Sequence, residues 1–158
     1  FKNKKIIKLY LAIISPPPSK DEQYIKSNIE KSGSSNLRKM TTSDIKGKFA
    51  KTYMKILVKN SKYALVLLYP ITGRTHQLRV HMNYVGSSII GDKKYKLSEN
   101  FRDNENFLKL HSYVIKFPNE DFIKAPLPEH FINFMKENKL HIDLEKIEED
   151  FAKEFKYE

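Results

Sequence analysis

Residues 70–95 read PITGRTHQLRVHMNYVGSSIIGDKKY, a stretch that decides the fold because it joins the end of a strand to a helix. Proline and glycine near its start interrupt the preceding strand. Apolar residues then recur with the i, i+4 and i+7 spacing of one helix face, at Leu78, Met82 and Val85. Thr75 can cap this helix and Gly86 can end it. The sequence therefore predicts a strand, a tight turn and a short amphipathic helix.

Five residues able to bind an anion or a base lie at the start of this predicted helix: Arg74, His76, Gln77, Arg79 and His81. Unpaired backbone N–H groups and the helix dipole favour an anion there, and two guanidinium groups strengthen that preference. Arg79 borders the apolar stripe, so it should need a carboxylate or phosphate partner. The alternative is a structural arginine bound to backbone carbonyls or to a core salt bridge. The density of polar residues after the glycine favours the anion site.

Several other chemistries lack their sequence patterns. The two histidines of this stretch are five residues apart, which points them to different helix faces and not to a shared metal ion. No G-x-S-x-G, G-x-G-x-x-G or P-loop pattern is present, and the chain has no cysteine. We therefore expect His76 and His81 to pack or to contact RNA, and we expect neither to be catalytic.

The rest of the chain is predicted to form short strands and a few helices. Apolar and alternating runs predict strands at residues 4–14, 49–58, 63–69, 89–90, 109–117 and 122–124. Further helices are expected from Pro128 onward and over residues 144–155. Residues 15–47 are polar and predict a loop that holds at most a short hairpin. Five or six strands joined mostly by hairpins, with about three helices, predict an α+β fold with a mainly antiparallel sheet.

The charge of the chain is unevenly distributed. The 158 residues carry a net charge of +10, but residues 141–158 contain seven acids and three bases, so residues 1–140 carry +14. A body this basic attracts polyanions such as nucleic acid, although a solvated lysine-rich surface explains the charge equally well. No window approaches the 18 consecutive apolar residues that a membrane-spanning helix needs.

The motifs themselves resemble a known family. Residues 72–81 (TGRTHQLRVH) followed by 91–95 (GDKKY) are similar to the signature of the RluA-type RNA pseudouridine synthases, with the large-subunit rRNA branch the best fit. Supporting motifs lie in the family's order along the chain: K-x-Y at residues 8–10, A-x-T at 50–52, L-H-S at 110–112 and FIKAPLPEHF at 122–131. The resemblance covers nearly all of residues 1–135.

The resemblance implies a role for individual residues. Arg79 would ion-pair with the family's catalytic Asp, and Tyr10 would stack on the target uracil. Leu110 would form a wall of the same pocket. Arg74 and Lys93 would contact RNA phosphate or stabilise the turn of the motif.

The implied reaction breaks the N1–C1′ bond of a uridine in RNA, turns the uracil and rejoins it through C5. An Asp drives the first step, by attack at C1′ or by removal of a proton from C2′. The resemblance implies no cofactor, no metal and no membrane, with RNA, and large-subunit rRNA in particular, as the partner. It also implies a cytoplasmic monomer.

One family motif is missing from this chain. The catalytic Asp of the family lies in H-R-L-D-x-x-T-S-G, upstream of the K-x-Y strand, and the 158 residues contain no such motif. Asp92 belongs to the G-D-x-x-Y element and is not expected to be the nucleophile, so we expect Arg79 to lack a carboxylate partner within this chain.

We therefore interpret residues 1–140 as the C-terminal portion of a synthase catalytic domain and residues 141–158 as an acidic C-terminal helix. A synthase whose missing part is supplied elsewhere and a catalytically inactive RNA-binding remnant both remain open. A generic basic RNA-binding domain is a weaker third interpretation, because the motifs match almost end to end.

Overall fold

A computed structural model of the chain describes residues 6–33, 39–43, 45–97 and 103–154, apart from the side chains of residues 152 and 154. Its strands are β1 (Ile7–Ser15), β2 (Glu22–Ser32), β3 (Lys39–Ser43), β4 (Lys48–Lys59), β5 (Ala64–Pro70), β6 (Ser88–Ile89), β7 (Leu110–Lys116) and β8 (Phe122–Lys124). Its helices are α1 (Gln77–Tyr84), α2 (Glu129–Glu137) and α3 (Leu144–Glu154). None of the helices in the described ranges is long and apolar enough to cross a membrane.

The eight strands form one sheet in the order β3-β2-β4-β5-β1-β7-β8, and β6 pairs with the end of β1. Every strand pair is antiparallel. The predicted α+β class with an antiparallel sheet is confirmed, and so are three helices within the described residues. The predicted strand number of five or six is too low.

The polar segment 15–47 accounts for most of this difference. The short hairpin that was allowed for this segment is present as β2 and β3, but the expectation that the segment is mainly loop is wrong, because β2 alone spans 11 residues. β2 also pairs with β4 over eight residue positions. Its inward positions are Ile25, Ser27 and Ile29, and the two isoleucines are almost fully buried. Because a serine occupies the central inward position, the sequence of β2 lacks the regular alternation of apolar and polar residues that would identify a strand.

The predicted hairpin of β4 and β5 is confirmed, and its turn has a clear cause. The Asn60 side-chain oxygen accepts hydrogen bonds from the backbone N–H groups of Lys62 and Tyr63, each at 2.9 Å. Asn is favoured in such turns because its side chain satisfies backbone donors locally. This hairpin places β4 and β5 at the centre of the sheet.

The two faces of the sheet carry different helices. α1 packs its apolar face on one side through Leu78 and Met82. α2 and α3 pack on the other side through Phe131, Phe134 and Phe151. The predicted apolar stripe of α3 is confirmed for its described members, while Phe155 lies outside the described residues. One face of the sheet therefore carries only α1 among the described helices, and the polar motif residues lie there.

Candidate functional site

A glutamine anchors the start of α1 to the sheet. Gln77 is buried, and its side-chain amide donates to the backbone oxygen of Lys51 at 3.0 Å and to Thr52 Oγ1 at 2.9 Å. Its oxygen accepts from the Arg74 backbone N–H at 3.0 Å and from the Thr72 hydroxyl at 2.7 Å. These four bonds satisfy the whole hydrogen-bonding capacity of the amide. Gln77 therefore fixes the turn that presents the motif residues, a role that its sequence context did not reveal.

His81 extends this network across the sheet. Its Nδ1 lies 2.8 Å from Thr52 Oγ1 and its Nε2 lies 3.0 Å from Ser27 Oγ, so it joins α1 to β4 and β2. Burial lowers the pKa of His81 to about 4, which keeps the ring neutral at pH 7. The expectation that His81 packs and does not catalyse agrees with this fully buried position.

His76, and not the predicted Thr75, occupies the position that caps α1. Its backbone is left-handed (φ 53°), and its side chain makes no cap hydrogen bond. A left-handed backbone is uncommon for histidine and is often found at functional sites. The predicted helix end is confirmed, since Gly86 follows the helix with φ +85°. His76 Nδ1 lies 2.8 Å from the Tyr95 hydroxyl whereas His81 bonds to Thr52 and Ser27, so the two rings face different partners and do not converge on one site.

Arg79 forms a bidentate ion pair with Asp92. Its Nε and Nη2 each donate at 2.8 Å to one oxygen of the Asp92 carboxylate. The Asp92 side chain is 1% exposed, and one of its oxygens also accepts from the backbone N–H groups of Lys94 and Tyr95. The expectation that Arg79 lacks a carboxylate partner in this chain is therefore wrong. The partner lies 13 residues downstream in the G-D-x-x-Y element, which the turn after β6 brings back to α1.

The ion pair sets the charge of both groups. Burial alone would raise the pKa of Asp92, but the hydrogen bonds from Arg79 and from the backbone of Tyr95 and Lys94 hold it below its usual value. The hydrogen bond with Asp92 raises the pKa of Arg79. Asp92 is consequently a buried, fully bonded anion. This geometry suits it to hold a side chain in place and does not suit nucleophilic attack.

Arg79 keeps one edge of its guanidinium available. Asp92 engages the side formed by Nε and Nη2, and no described residue accepts a hydrogen bond from Nη1. Arginine has five N–H donors in a planar fork, so a second acceptor can bind at the end formed by Nη1 and Nη2. The guanidinium also lies over the Tyr95 ring, 4.8 Å from its centroid. Asp92 and Tyr95 thus fix Arg79 while leaving it able to bind another anion.

Most of the predicted site residues line one cavity of about 450 Å³, here called the Tyr10 cavity. Tyr10 on β1 and Leu110 on β7 are diagonal neighbours on adjacent strands, because Leu110 pairs with Ala12. Arg79 and Arg74 line the cavity from α1 and from the turn before it. Lys93 is exposed and does not line it. The fold therefore brings four of the five predicted residues together.

The described walls of the Tyr10 cavity contain cations but no carboxylate. The lining is Ile6, Lys8, Tyr10, Pro70, Ile71, Thr72, Gly73, Arg74, His76, Gln77, Leu78, Arg79 and Leu110. Arg74 is also held within the fold, because its Nε donates to the backbone oxygen of Phe49 at 2.9 Å. An aromatic ring, an aliphatic wall and an orientated arginine form a site suited to a planar polar ring and an anion.

Comparison with known proteins assigns the family. Residues 1–84, more than half of the chain, match the family described as RNA pseudouridylate synthase. The chain belongs to the RNA pseudouridylate synthase family. The resemblance that the motifs carried is thereby confirmed.

Relatives of this chain include two bacterial proteins. The ribosomal large subunit pseudouridine synthase C of Rickettsia bellii is 37% identical over 137 residues, which cover 83% of this chain and 45% of that relative. The ribosomal large subunit pseudouridine synthase D of Borreliella burgdorferi is 33% identical over 155 residues, covering 93% of this chain and 47% of that relative. The chain thus spans less than half of the length of these two proteins.

The fold of this chain is also similar to a solved structure. Human RNA Pseudouridylate Synthase Domain Containing 1 aligns with a TM-score of 0.67 and 26% identity, over 80% of this chain and 56% of that one. The fold of this chain is therefore similar to that of a solved pseudouridylate synthase domain.

Proposed function

We propose that this chain supplies the uridine-binding part of an RNA pseudouridine synthase that acts on large-subunit rRNA. The observation that carries the proposal is the convergence of Tyr10, Leu110 and Arg79 on the Tyr10 cavity of a pseudouridylate synthase chain. The rRNA substrate is supported by the names of the two bacterial relatives. We propose that the enzyme acts as a cytoplasmic monomer and needs neither metal nor cofactor.

Tyr10 and Leu110 hold the target base in this proposal. A uridine in folded RNA must leave its stack before chemistry can reach its glycosidic bond. The Tyr10 ring offers the extruded uracil a stacking surface, and Leu110 on the next strand closes the pocket beside it. Base–aromatic stacking contributes about 1–3 kcal/mol per base, which offsets part of the cost of extrusion.

Arg79 orientates the catalytic Asp, which we propose comes from a segment outside these 158 residues. None of the described residues that line the cavity is Asp or Glu. The end of the Arg79 guanidinium that Asp92 does not engage would bind the incoming carboxylate. The positive charge lowers the pKa of that carboxylate and keeps it ionised. Asp92 then acts as a positioning residue, because it prevents Arg79 from rotating away.

The ionised Asp starts the isomerisation, by attack at C1′ or by removal of the C2′ proton. The N1–C1′ bond breaks, the uracil turns within the pocket, and C5 bonds to C1′ as the Asp leaves C1′ or returns the proton to C2′. C5 then loses its proton and N1 takes one up, so the product is an isomer of the substrate and the Asp is regenerated. The walls of the cavity retain the detached base during this step, which a flat RNA-binding surface would not do. The net charge of +14 over residues 1–140 attracts the RNA, with Arg74 and Lys93 as proposed phosphate contacts.

Pseudouridine mapping tests this function. Large-subunit rRNA is incubated with the 158-residue chain alone, or with the chain joined to an upstream segment that carries the H-R-L-D motif, and modified positions are read by carbodiimide primer extension. We expect no pseudouridine from the chain alone and site-specific pseudouridine from the joined protein. Activity of the chain alone would mean that the nucleophile lies within it. Inactivity of a folded joined protein would favour the RNA-binding remnant.

A further inference from the structure

A second cavity, of about 220 Å³ and here called the lysine cavity, shares His76 with the Tyr10 cavity. Three lysines from different parts of the chain line it: Lys31 on β2, Lys39 on β3 and Lys94 in the turn after β6. Its other polar lining residues are Thr75, His76 and Tyr95. The hairpin of β2 and β3 and the start of α1 therefore border a hollow with three lysines in its lining, beside the candidate active site.

No described residue balances the charges of the lysine cavity. Its described lining contains no carboxylate, and Lys31, Lys39 and Lys94 form no ion pair with any described residue. Among the described lysines only Lys59, Lys109 and Lys124 pair with a described acid, so the convergence of three lysines on one hollow, and not the lack of partners, is what points to an anion. Three lysines at one hollow give it a positive potential, which favours an anion there.

His76 adds a neutral donor to these three cations. The Met40 backbone N–H donates to the Tyr95 hydroxyl oxygen at 3.1 Å, and the same oxygen lies 2.8 Å from His76 Nδ1. The Tyr95 hydroxyl can then donate to Nδ1, and in that tautomer the imidazole proton lies on Nε2. Burial, and after it the charges of Arg79 and Lys94, lowers the pKa of His76, so this neutral form predominates at pH 7.

The donor set fits a phosphodiester group. A phosphodiester carries one negative charge and accepts hydrogen bonds in several directions without donating any. Lysines bind it as point charges, and the Thr75 hydroxyl and His76 Nε2–H supply neutral donors. The shared residue His76 places this anion site directly beside the cavity proposed for the uridine.

We propose that the lysine cavity binds a backbone phosphate of the RNA next to the target uridine, so that the strand crosses from one cavity to the other over His76. This inference rests on the proposed function, since it assumes that the Tyr10 cavity holds the uridine. It assigns the β2–β3 hairpin and Lys94 a role in holding the RNA strand in register with the active site.

Salt-dependent RNA binding by the 158-residue chain tests the lysine cavity. A fluorescein-labelled RNA stem–loop with uridines in its loop is titrated across a series of KCl concentrations, and the dissociation constant is taken from fluorescence anisotropy. The double variant Lys31→Gln/Lys94→Gln should weaken binding and lower the slope of log Kd against log salt by about 1, the value for one lost phosphate contact. The matched control is Lys136→Gln/Lys153→Gln, which removes the same charge from exposed positions on the opposite face. Thermal melts check that each variant is folded.

An uncharged linkage at one position of the RNA backbone can identify the phosphate that binds in the lysine cavity. Methylphosphonate is placed at each loop position in turn, and we expect one position to weaken binding to the parent while having no further effect on the double variant. If the double variant and its control change the slope of log Kd against log salt equally, the lysine cavity is not a phosphate site, although the chain still binds RNA. A parent chain whose RNA affinity did not depend on salt would instead overturn the proposed function, and this inference with it.

Discussion

Replacing Arg79 by alanine should destabilise the 158-residue chain by about 3 kcal/mol at pH 7. The substitution leaves the Asp92 carboxylate, with a side chain 1% exposed, bonded only to the backbone N–H groups of Lys94 and Tyr95. Removing one partner of a buried ion pair costs about 3–5 kcal/mol. We expect the lower end, because those two N–H groups remain and because Arg79 itself is 20% exposed. Since small domains are stable by about 5–15 kcal/mol, the loss is a large fraction of the total.

Three companion variants separate the ion pair from general disruption. Arg79→Lys should recover less than half of the loss, because an ammonium cannot reproduce the two parallel bonds of the guanidinium. Adding Asp92→Asn to Arg79→Ala should recover about 1 kcal/mol or more, since a neutral amide is less costly to bury than an unpaired carboxylate. Arg74→Ala is the matched control. It removes one bond to the backbone of Phe49 and should cost about 1 kcal/mol or less.

Urea denaturation followed by circular dichroism measures these differences, and this probe suits a chain without tryptophan. The double variant and its two singles give the coupling free energy between Arg79 and Asp92. The reasoning is refuted if Arg79→Ala lies within about 0.5 kcal/mol of the parent, which is the range of an ordinary surface substitution. It is also refuted if Arg79→Ala costs as much in the Asp92→Asn background as it does alone.

Three further predictions concern the network, the backbone and the base-binding site. The pKa of His81 is about 4 in the folded chain and about 6.5 in the unfolded chain, so the unfolded chain binds the proton first as the pH falls. Acidification from pH 6.5 to 4 should therefore remove about 3 kcal/mol of stability, measured by urea denaturation. The His81→Gln variant should show a weaker dependence of stability on pH. Gly91→Ala should cost clearly more than Gly86→Ala in the same assay, because both backbones are left-handed but only at Gly91 would a Cβ meet another atom, the Phe107 oxygen at 2.2 Å. A larger loss at Gly86 would contradict this. In the joined protein, Tyr10→Phe should keep the RNA affinity within about threefold of the parent. Tyr10→Ala should lower the affinity at least about fivefold, which is the smallest loss expected from removing a stacking contact. Equal losses for the two variants in anisotropy titrations would exclude stacking.

The elements with strong local signals could be predicted from the sequence. The β4–β5 hairpin has a four-residue turn in which Asn60 satisfies two backbone donors, and α1 has a regular apolar spacing that ends at Gly86. β2 could not be recognised, because its inward Ser27 is matched by a buried polar partner, Nε2 of His81, on an element 54 residues away. The polar residues of β2 predicted a loop, because the hydrogen bond that satisfies Ser27 comes from a distant part of the chain.

The grouping of three predicted residues in one cavity could be anticipated from the motifs, but the bonding among the site residues could not. The motifs indicated Tyr10, Arg79 and Leu110, and the structure brings them to one cavity. The pairing of Arg79 with Asp92 depends on the return of the chain after β6, which no spacing rule gives. A buried Asp in a Gly-Asp turn close to a helical arginine is the signal that could have suggested it.

The most direct test of the central claim is the single-turnover rate of pseudouridine formation by the joined synthase, parent against Arg79→Lys, at saturating RNA. If Arg79 holds the catalytic Asp through the edge that Asp92 leaves free, the lysine variant should lose about 100-fold in rate, equivalent to about 3 kcal/mol, while its RNA dissociation constant stays unchanged. The unchanged affinity shows that the fold and the RNA surface survive. A variant that binds RNA normally and forms pseudouridine within about threefold of the parent rate would show that Arg79 serves only the fold, through Asp92.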